Sequence, residues 1–120
     1  MTCCPCWNCC IFVTMLDLET LGADLPGEFE GHLAEDVQAR AMMLASEVGE
    51  LMKEVVKATG YGTRPFEVTP GFRDELGDVM ADLALLAEAA GVSLSECAGQ
   101  TADKMRFRFA EHGRVGSETA

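Results

Sequence analysis

The chain has 120 residues, of which 48% are apolar and only 7% aromatic, and its formal net charge is −11. This length supports one small domain, and the aliphatic composition is typical of packed helices. The acidic balance argues against a nucleic-acid polymer as partner, because phosphate backbones are bound by clustered Lys and Arg. A few helices of this size bury a thin core, so we expect an all-α helical bundle completed by homo-oligomerisation.

Residues 1–14 form a segment of unusual composition, because they contain five of the six cysteines: Cys3, Cys4, Cys6, Cys9 and Cys10. The pair Cys6 and Cys9 lacks the second Cys or His pair that a zinc site needs. Lipidation of the cluster is a further alternative. We interpret residues 1–14 as a disordered leader, because they lack a basic n-region and their apolar run, residues 11–13, is too short for a signal peptide or a membrane span. The sequence therefore predicts no membrane partner and a cytoplasmic location.

The domain is predicted to cover residues 15–112, and its first half contains one short and one long helical segment. Gly22 and Pro26 interrupt the leucines of residues 15–31, which predicts a short helix or an irregular arm. From Leu33 to about Lys57 the apolar residues recur at steps of three and four, which predicts an amphipathic helix. The glycines and prolines of residues 59–70 then predict a loop.

Two further helices are predicted in the second half of the domain. One runs from about Gly71 to Ala90 and is closed by Gly91. Ser93 and Glu96 then form a capping box that opens the last helix, over residues 94–111. Residues 113–120 are expected to be a flexible tail.

Two six-residue strings are near copies of each other, starting at residues 47 and 75. Each reads acid, apolar, Gly, acid, apolar, Met, and each has one more acid four positions after its second. The acids are Glu47, Glu50 and Glu54 in the first string and Glu75, Asp78 and Asp82 in the second. On a helix each triplet falls within a strip of about 60°. Two such strips beside a core-facing seam predict a compensating cation between them, since like charges at these spacings repel.

The expected ion is Mg²⁺, with Mn²⁺ as the alternative, because both prefer oxygen ligands. A di-iron site would need Glu-x-x-His pairs, which His32 and His112 do not supply. The competing interpretation is a solvated acidic face, and the duplication argues against it. Gly49 and Gly77 lie between the acids at a helical cost of about 1 kcal/mol each, which suggests close approach of another helix or a ligand.

A basic patch closes the last helix, where Lys104 and Arg108 lie one turn apart on the same face. Favourable placement of cations near a helix C-terminus is a sufficient structural explanation for such a patch. The functional explanation for the same patch is phosphate binding.

The paired motifs Glu47-x-x-Glu50 and Glu75-x-x-Asp78, with the basic segment 102–109, resemble the MazG-type nucleotide pyrophosphohydrolases of the all-α NTP pyrophosphatase superfamily. The resemblance covers about residues 33–112. It departs from the family pattern at Ala102, where an asparagine is frequent. The resemblance implies a homodimer or a dimer of dimers, with helices of the protomers bundled around the metal site.

The resemblance also implies hydrolysis of an NTP or dNTP between the α and β phosphates, with a role in cleansing the nucleotide pool. The implied Mg²⁺ ligands are Glu47, Glu50, Glu75 and Asp78, and the implied substrate-phosphate contacts are Lys104 and Arg108. Glu54 and Asp82 are candidates for the general base or a second metal. The alternatives are a phosphoribosyl-ATP pyrophosphatase, a dUTPase-like relative, or a non-catalytic acidic helical dimer that binds divalent cations or partner helices.

Overall fold

The computed structural model describes residues 17–33 and 36–116, which form helices and contain no β-strand. The helices are α1 (Leu18–Glu28), α2 (Val37–Ala58), α3 (Pro70–Ala90) and α4 (Leu94–His112). The expectation of an all-α fold is confirmed. The predicted leader, residues 1–14, lies outside the described residues. Within the described part of the chain, every helix is too short or too polar to cross a membrane.

The starts of α2 and α3 are set by their N-capping side chains. The Asp36 carboxylate accepts hydrogen bonds from the backbone N–H groups of Gln38 and Ala39, which fixes the first turn of α2 at Val37. The predicted start at Leu33 is therefore wrong, and Leu33 lies in the segment before the helix. At α3 the Thr69 hydroxyl caps the helix, and Pro70 occupies its first position.

The junction between α3 and α4 follows the predicted signals. Gly91 adopts the left-handed conformation with a φ of 72° and ends α3. The Glu96 N–H donates to the Ser93 hydroxyl, as expected of a capping residue. The same end of α4 is tied to α1, because the Ser93 hydroxyl and the Ser95 N–H both donate to the Glu19 carboxylate, at 2.9 and 2.6 Å.

Helices α2 and α3 form an antiparallel pair, and α1 packs against α3. The closest approach of α1 to α3 is at Gly22, which faces the backbone of Ala84. Among the described residues the core consists of small and medium side chains: Ala58, Val79, Ala84, Leu85 and Ala87. Helix α4 makes only a small contact with α1 and no substantial contact with the α2–α3 pair, and its Phe107 and Phe109 are more than 60% exposed. Homo-oligomerisation stays a prediction.

The connection between α2 and α3 covers residues 59–69 and is organised by its own hydrogen bonds. Gly60, Tyr61 and Gly62 all have positive φ values, of 55°, 57° and 86°. The Thr63 hydroxyl donates to the Gly60 carbonyl at 2.6 Å, and the Arg64 guanidinium donates to the last turn of α2. This loop reverses the chain, so that the acids of α3 return alongside those of α2.

Candidate metal centre

Three of the predicted acidic residues meet across the α2–α3 interface. Glu47 of α2 and Glu75 and Asp78 of α3 each offer a carboxylate oxygen, and these three oxygens lie within 4.8 Å of one another. Glu47 and Glu75 are half-buried, whereas Asp78 is exposed. The antiparallel pairing of two helices that carry the same acidic spacing produces this convergence. We refer to the three residues as the acidic cluster.

The electrostatics of the cluster centre on Glu75. Burial raises the pKa of its carboxyl group, and the negative charges of Glu47, Asp78 and Glu50 raise that pKa further, together with a hydrogen bond to Glu47. Each of these effects disfavours the ionised carboxylate. A divalent cation would favour the ionised form of Glu75, because it is attracted by the negative charges that repel one another in its absence.

Glu50 lies at the edge of the cluster rather than within it. Its side chain is exposed, and its nearest basic partner is Lys53, with the Lys53 Nζ 3.8 Å from a carboxylate oxygen. Its charge still reaches the cluster, as the raised pKa of Glu75 shows. An exposed ion pair of this kind contributes only about 0–1 kcal/mol, so it places little restraint on the Glu50 side chain.

Glu54 is directed towards the loop end of the helix pair. Its carboxylate forms an ion pair with Lys57, at 3.1 Å, and lies beside the backbone of Gly71 at the start of α3. A side chain at residue 71 would require the Glu54 carboxylate to move from its present position. The sequence did not predict this contact, because Gly71 was identified in it only as the start of a helix.

Asp82 lies one turn beyond Asp78 on α3 and faces a cation that the sequence reasoning missed. Burial raises the pKa of Asp82, the Asp78 charge raises it further, and the positive charge of Arg40 partly offsets both effects. Arg40 is buried in α2 and only 6% exposed. It precedes Glu47 by seven residues, or two turns, so heptad spacing on α2 is the signal that could have found it.

Lys104 and Arg108 share one face of α4, as their spacing predicted, and they line a shallow surface depression together with Phe107. Within the described chain α4 makes no substantial contact with the α2–α3 pair, so this basic face is not packed onto the helices that carry the acids. The packing of α4 depends on contacts that its own sequence pattern does not specify.

The two glycines of the repeated motif face open space within the described chain. No atom lies within 4 Å of the position that a Cβ would occupy at Gly49 or at Gly77. The expected close approach of another helix is therefore wrong within one protomer. Approach by a ligand or by a second protomer stays a prediction.

The donor set has the chemistry of a site for a hard divalent ion, because it consists of carboxylate oxygens from two adjacent helices. A family model for the MazG nucleotide pyrophosphohydrolase domain matches residues 35–112, which span these helices and all of α4. The chain belongs to the MazG family. The resemblance inferred from the paired acidic motifs is thereby confirmed. No curated protein and no solved structure matches the chain.

The MazG match covers part of the described structure. It begins at residue 35, so α1 precedes the matched region, whereas the acidic cluster and the basic face of α4 lie inside it. MazG domains are nucleotide pyrophosphohydrolases that generally use a divalent metal. The acidic cluster is the group of described residues that fits such an ion.

Proposed function

We propose that this MazG protein is a Mg²⁺-dependent hydrolase that converts a nucleoside or deoxynucleoside triphosphate to its monophosphate and pyrophosphate. The observation that supports the proposal is the convergence of three carboxylate oxygens across the α2–α3 interface. Cleavage at the α–β phosphoanhydride bond is the reaction expected of the family. A cytoplasmic role in cleansing the nucleotide pool follows from the same proposal.

Glu47, Glu75 and Asp78 would hold the cation, and Glu50 would join them by rotating its exposed side chain away from Lys53. When bound, Mg²⁺ or Mn²⁺ neutralises charge on the phosphate oxygens and lowers the pKa of a coordinated water. The carboxylates of the chain fix the position of the ion on two helices, so the reacting phosphate is held against a rigid surface.

The proton released by the attacking water needs an acceptor, and a carboxylate that is not used in coordination suits this purpose. Glu54 and Asp82 are the two candidates from the sequence. Glu54 is engaged by Lys57, and Asp82 is turned towards Arg40. Separate Gln and Asn variants of the two residues distinguish them, because loss of the proton acceptor lowers kcat for every nucleotide by the same factor.

Lys104 and Arg108 are proposed to bind substrate phosphates from a second protomer. Within one chain their helix lies against α1, and its apolar residues Phe107 and Phe109 are exposed. A homodimer or a dimer of dimers would cover these apolar residues and carry the basic face towards the acidic cluster of the partner. Phosphate recognition by Lys and Arg is then completed between protomers.

The test is pyrophosphate release from a panel of nucleoside and deoxynucleoside triphosphates, with phosphoribosyl-ATP and dUTP included, in Mg²⁺, Mn²⁺ or a chelator. Glu75→Gln and Asp78→Asn should lower kcat/KM by about 100-fold or more, since even changes outside the ligand set cost 10–100-fold in metal sites. Asp74→Asn is the matched control, because this neighbouring acid on α3 is exposed and outside the cluster. Cation binding without turnover of any nucleotide would instead support the non-catalytic acidic dimer.

A further inference from the structure

A cavity of about 250 Å³ lies beside the acidic cluster, between α2, α3 and the segment before α2. We call it the Arg40 cavity, and its lining residues are His32, Leu33, Arg40, Met43, Asp82 and Leu85. Leu33, Met43 and Leu85 provide apolar walls. Arg40 and Asp82 provide one strong hydrogen-bond donor and one strong acceptor. Apolar walls with a few placed polar groups are typical of sites for small organic ligands.

Arg40 is the unusual group in this cavity. It is only 6% exposed, and its Nε has no hydrogen-bond partner. Asp82 is close enough to act on Arg40 electrostatically, yet no ion pair between the two is formed within 4.0 Å in the described part of the chain. Buried guanidinium groups normally have acceptors for their N–H groups. The cavity is therefore lined by a buried guanidinium group with an unpartnered Nε and by a carboxylate that forms no ion pair with it.

The Arg40 cavity adjoins the acidic cluster along the α2–α3 pair. Asp82 follows Asp78 by one turn of α3, about 6 Å along the helix, and Arg40 precedes Glu47 by two turns of α2. The cavity thus adjoins the side of the acidic cluster that faces away from the 59–69 loop. Its volume is below the range of about 300–1,000 Å³ that holds drug-sized ligands, so it suits one heterocyclic ring rather than a whole nucleotide.

We propose that the Arg40 cavity binds the base of the nucleotide and selects bases that carry an amino group beside a hydrogen-bond acceptor, with Asp82 accepting from the amino group and Arg40 donating to the acceptor. The inference rests on the proposed function, because it assumes that the triphosphate lies at the acidic cluster. Cytosine has the required edge, with its amino group next to a ring nitrogen. Uracil has a carbonyl oxygen in place of the amino group, and this oxygen would face the Asp82 carboxylate without a proton between them.

The experiment compares cytidine with uridine nucleotides, because the two bases have nearly the same size and differ at the amino group. Turnover of CTP and UTP is measured as kcat/KM, and binding of their α,β-methylene analogues is measured in Mg²⁺ by calorimetry. We expect a preference of at least about 10-fold for cytidine in both measurements, as buried polar groups left unpaired by the wrong ligand reduce affinity.

Asp82→Asn is the informative variant, since a carboxamide has nearly the same shape as the carboxylate and can donate to the uracil oxygen. The cytidine-to-uridine ratio should fall to about one or below in this variant. Glu88→Gln is the matched control, because Glu88 is an acid on the same helix that lines the groove on the other side of Arg40. The ratio should not change in the control.

The outcomes separate this inference from the proposed function. A tenfold binding preference that disappears in Asp82→Asn supports the inference even if no nucleotide is hydrolysed. Turnover of CTP and UTP at similar rates overturns the inference and leaves the proposed function intact. An equal loss of activity with both nucleotides in Asp82→Asn also overturns it, because that result assigns Asp82 to the reacting centre. Failure of both analogues to bind overturns the inference as well.

Discussion

Replacement of three helical glycines by alanine tests the packing of α1 on α3 and separates packing from helix propensity. The residues are Gly22 in α1, Gly49 in α2 and Gly77 in α3. A Cβ at Gly22 would lie 2.5 Å from the carbonyl oxygen of Ala84 and 3.0 Å from its carbonyl carbon. A Cβ at Gly49 or Gly77 would have no atom within 4 Å. The same substitution should therefore have opposite effects at these positions.

The magnitudes follow from two competing effects. Replacing Gly by Ala inside a helix stabilises by about 1 kcal/mol. Overpacking costs about 1–3 kcal/mol, and the upper end applies at Gly22 because a helical backbone carbonyl cannot rotate away from the new methyl group. We expect Gly22→Ala to lower the free energy of unfolding by about 2 kcal/mol, and Gly49→Ala and Gly77→Ala each to raise it by about 1 kcal/mol.

The assay is urea unfolding followed by circular dichroism at one fixed protein concentration, because oligomerisation makes stability depend on concentration. If Gly22→Ala stabilises as much as Gly49→Ala does, then α1 is not in close contact with Ala84 and the described packing is refuted. The same variants also test the motif glycines. Full pyrophosphohydrolase activity in both Gly49→Ala and Gly77→Ala would show that no ligand needs close access to the backbone there.

Three further predictions concern pH, the cation and assembly. Hydrogen bonds from Ser95 and Ser93 lower the pKa of Glu19 below its usual 4.5, so the unfolded chain binds more protons. This stabilisation is present above pH 4.5 and is lost as pH falls through the pKa of Glu19 in the folded state. In urea titrations, the free energy of unfolding of Glu19→Gln should therefore decrease less at acidic pH than that of the wild type. Glu75 has a raised pKa, so the free energy of unfolding of the metal-free protein should decline as pH rises from 4.5. At pH 7, Mg²⁺ should raise the melting temperature of the wild type far more than that of Glu75→Gln. Phe107→Glu should convert a dimer to monomers in sedimentation experiments, and a wild type that is already monomeric would contradict the proposed assembly.

Local chemistry explains why the helix ends near residue 90 were predictable. Gly91 and Ser93 act through their own backbone and side-chain conformations, so their effect is visible in the sequence. The meeting of Glu47 with Glu75 and Asp78 was also predictable in outline, because both helices carry an acidic strip beside the seam that faces the other helix. The exact start of α2 was harder to predict, because the apolar pattern begins at Leu33, before the capping residue Asp36.

The tertiary contacts could not be read from periodicity. Arg40 appears in the sequence as one basic residue in an amphipathic helix, and only the approach of α3 shows that it is buried. Glu54 has the same spacing as its counterpart Asp82, yet the antiparallel course of the helices places Glu54 near the loop, beside Lys57 and Gly71, and Asp82 at the other end. The position of α4 depends on α1, which has no counterpart in the repeated motif.

The loop at residues 59–69 has a consequence for how this domain tolerates changes in length. Its left-handed residues and internal hydrogen bonds make the reversal of direction a self-contained unit. Residues 64–68 lack regular secondary structure, so an added residue there would lengthen the loop without displacing α2 or α3. An added residue inside α3 before Glu75 would turn everything upstream of it by about 100° relative to the acids. Insertions and deletions among natural variants should therefore occur in residues 64–68 and be absent from α2 and α3.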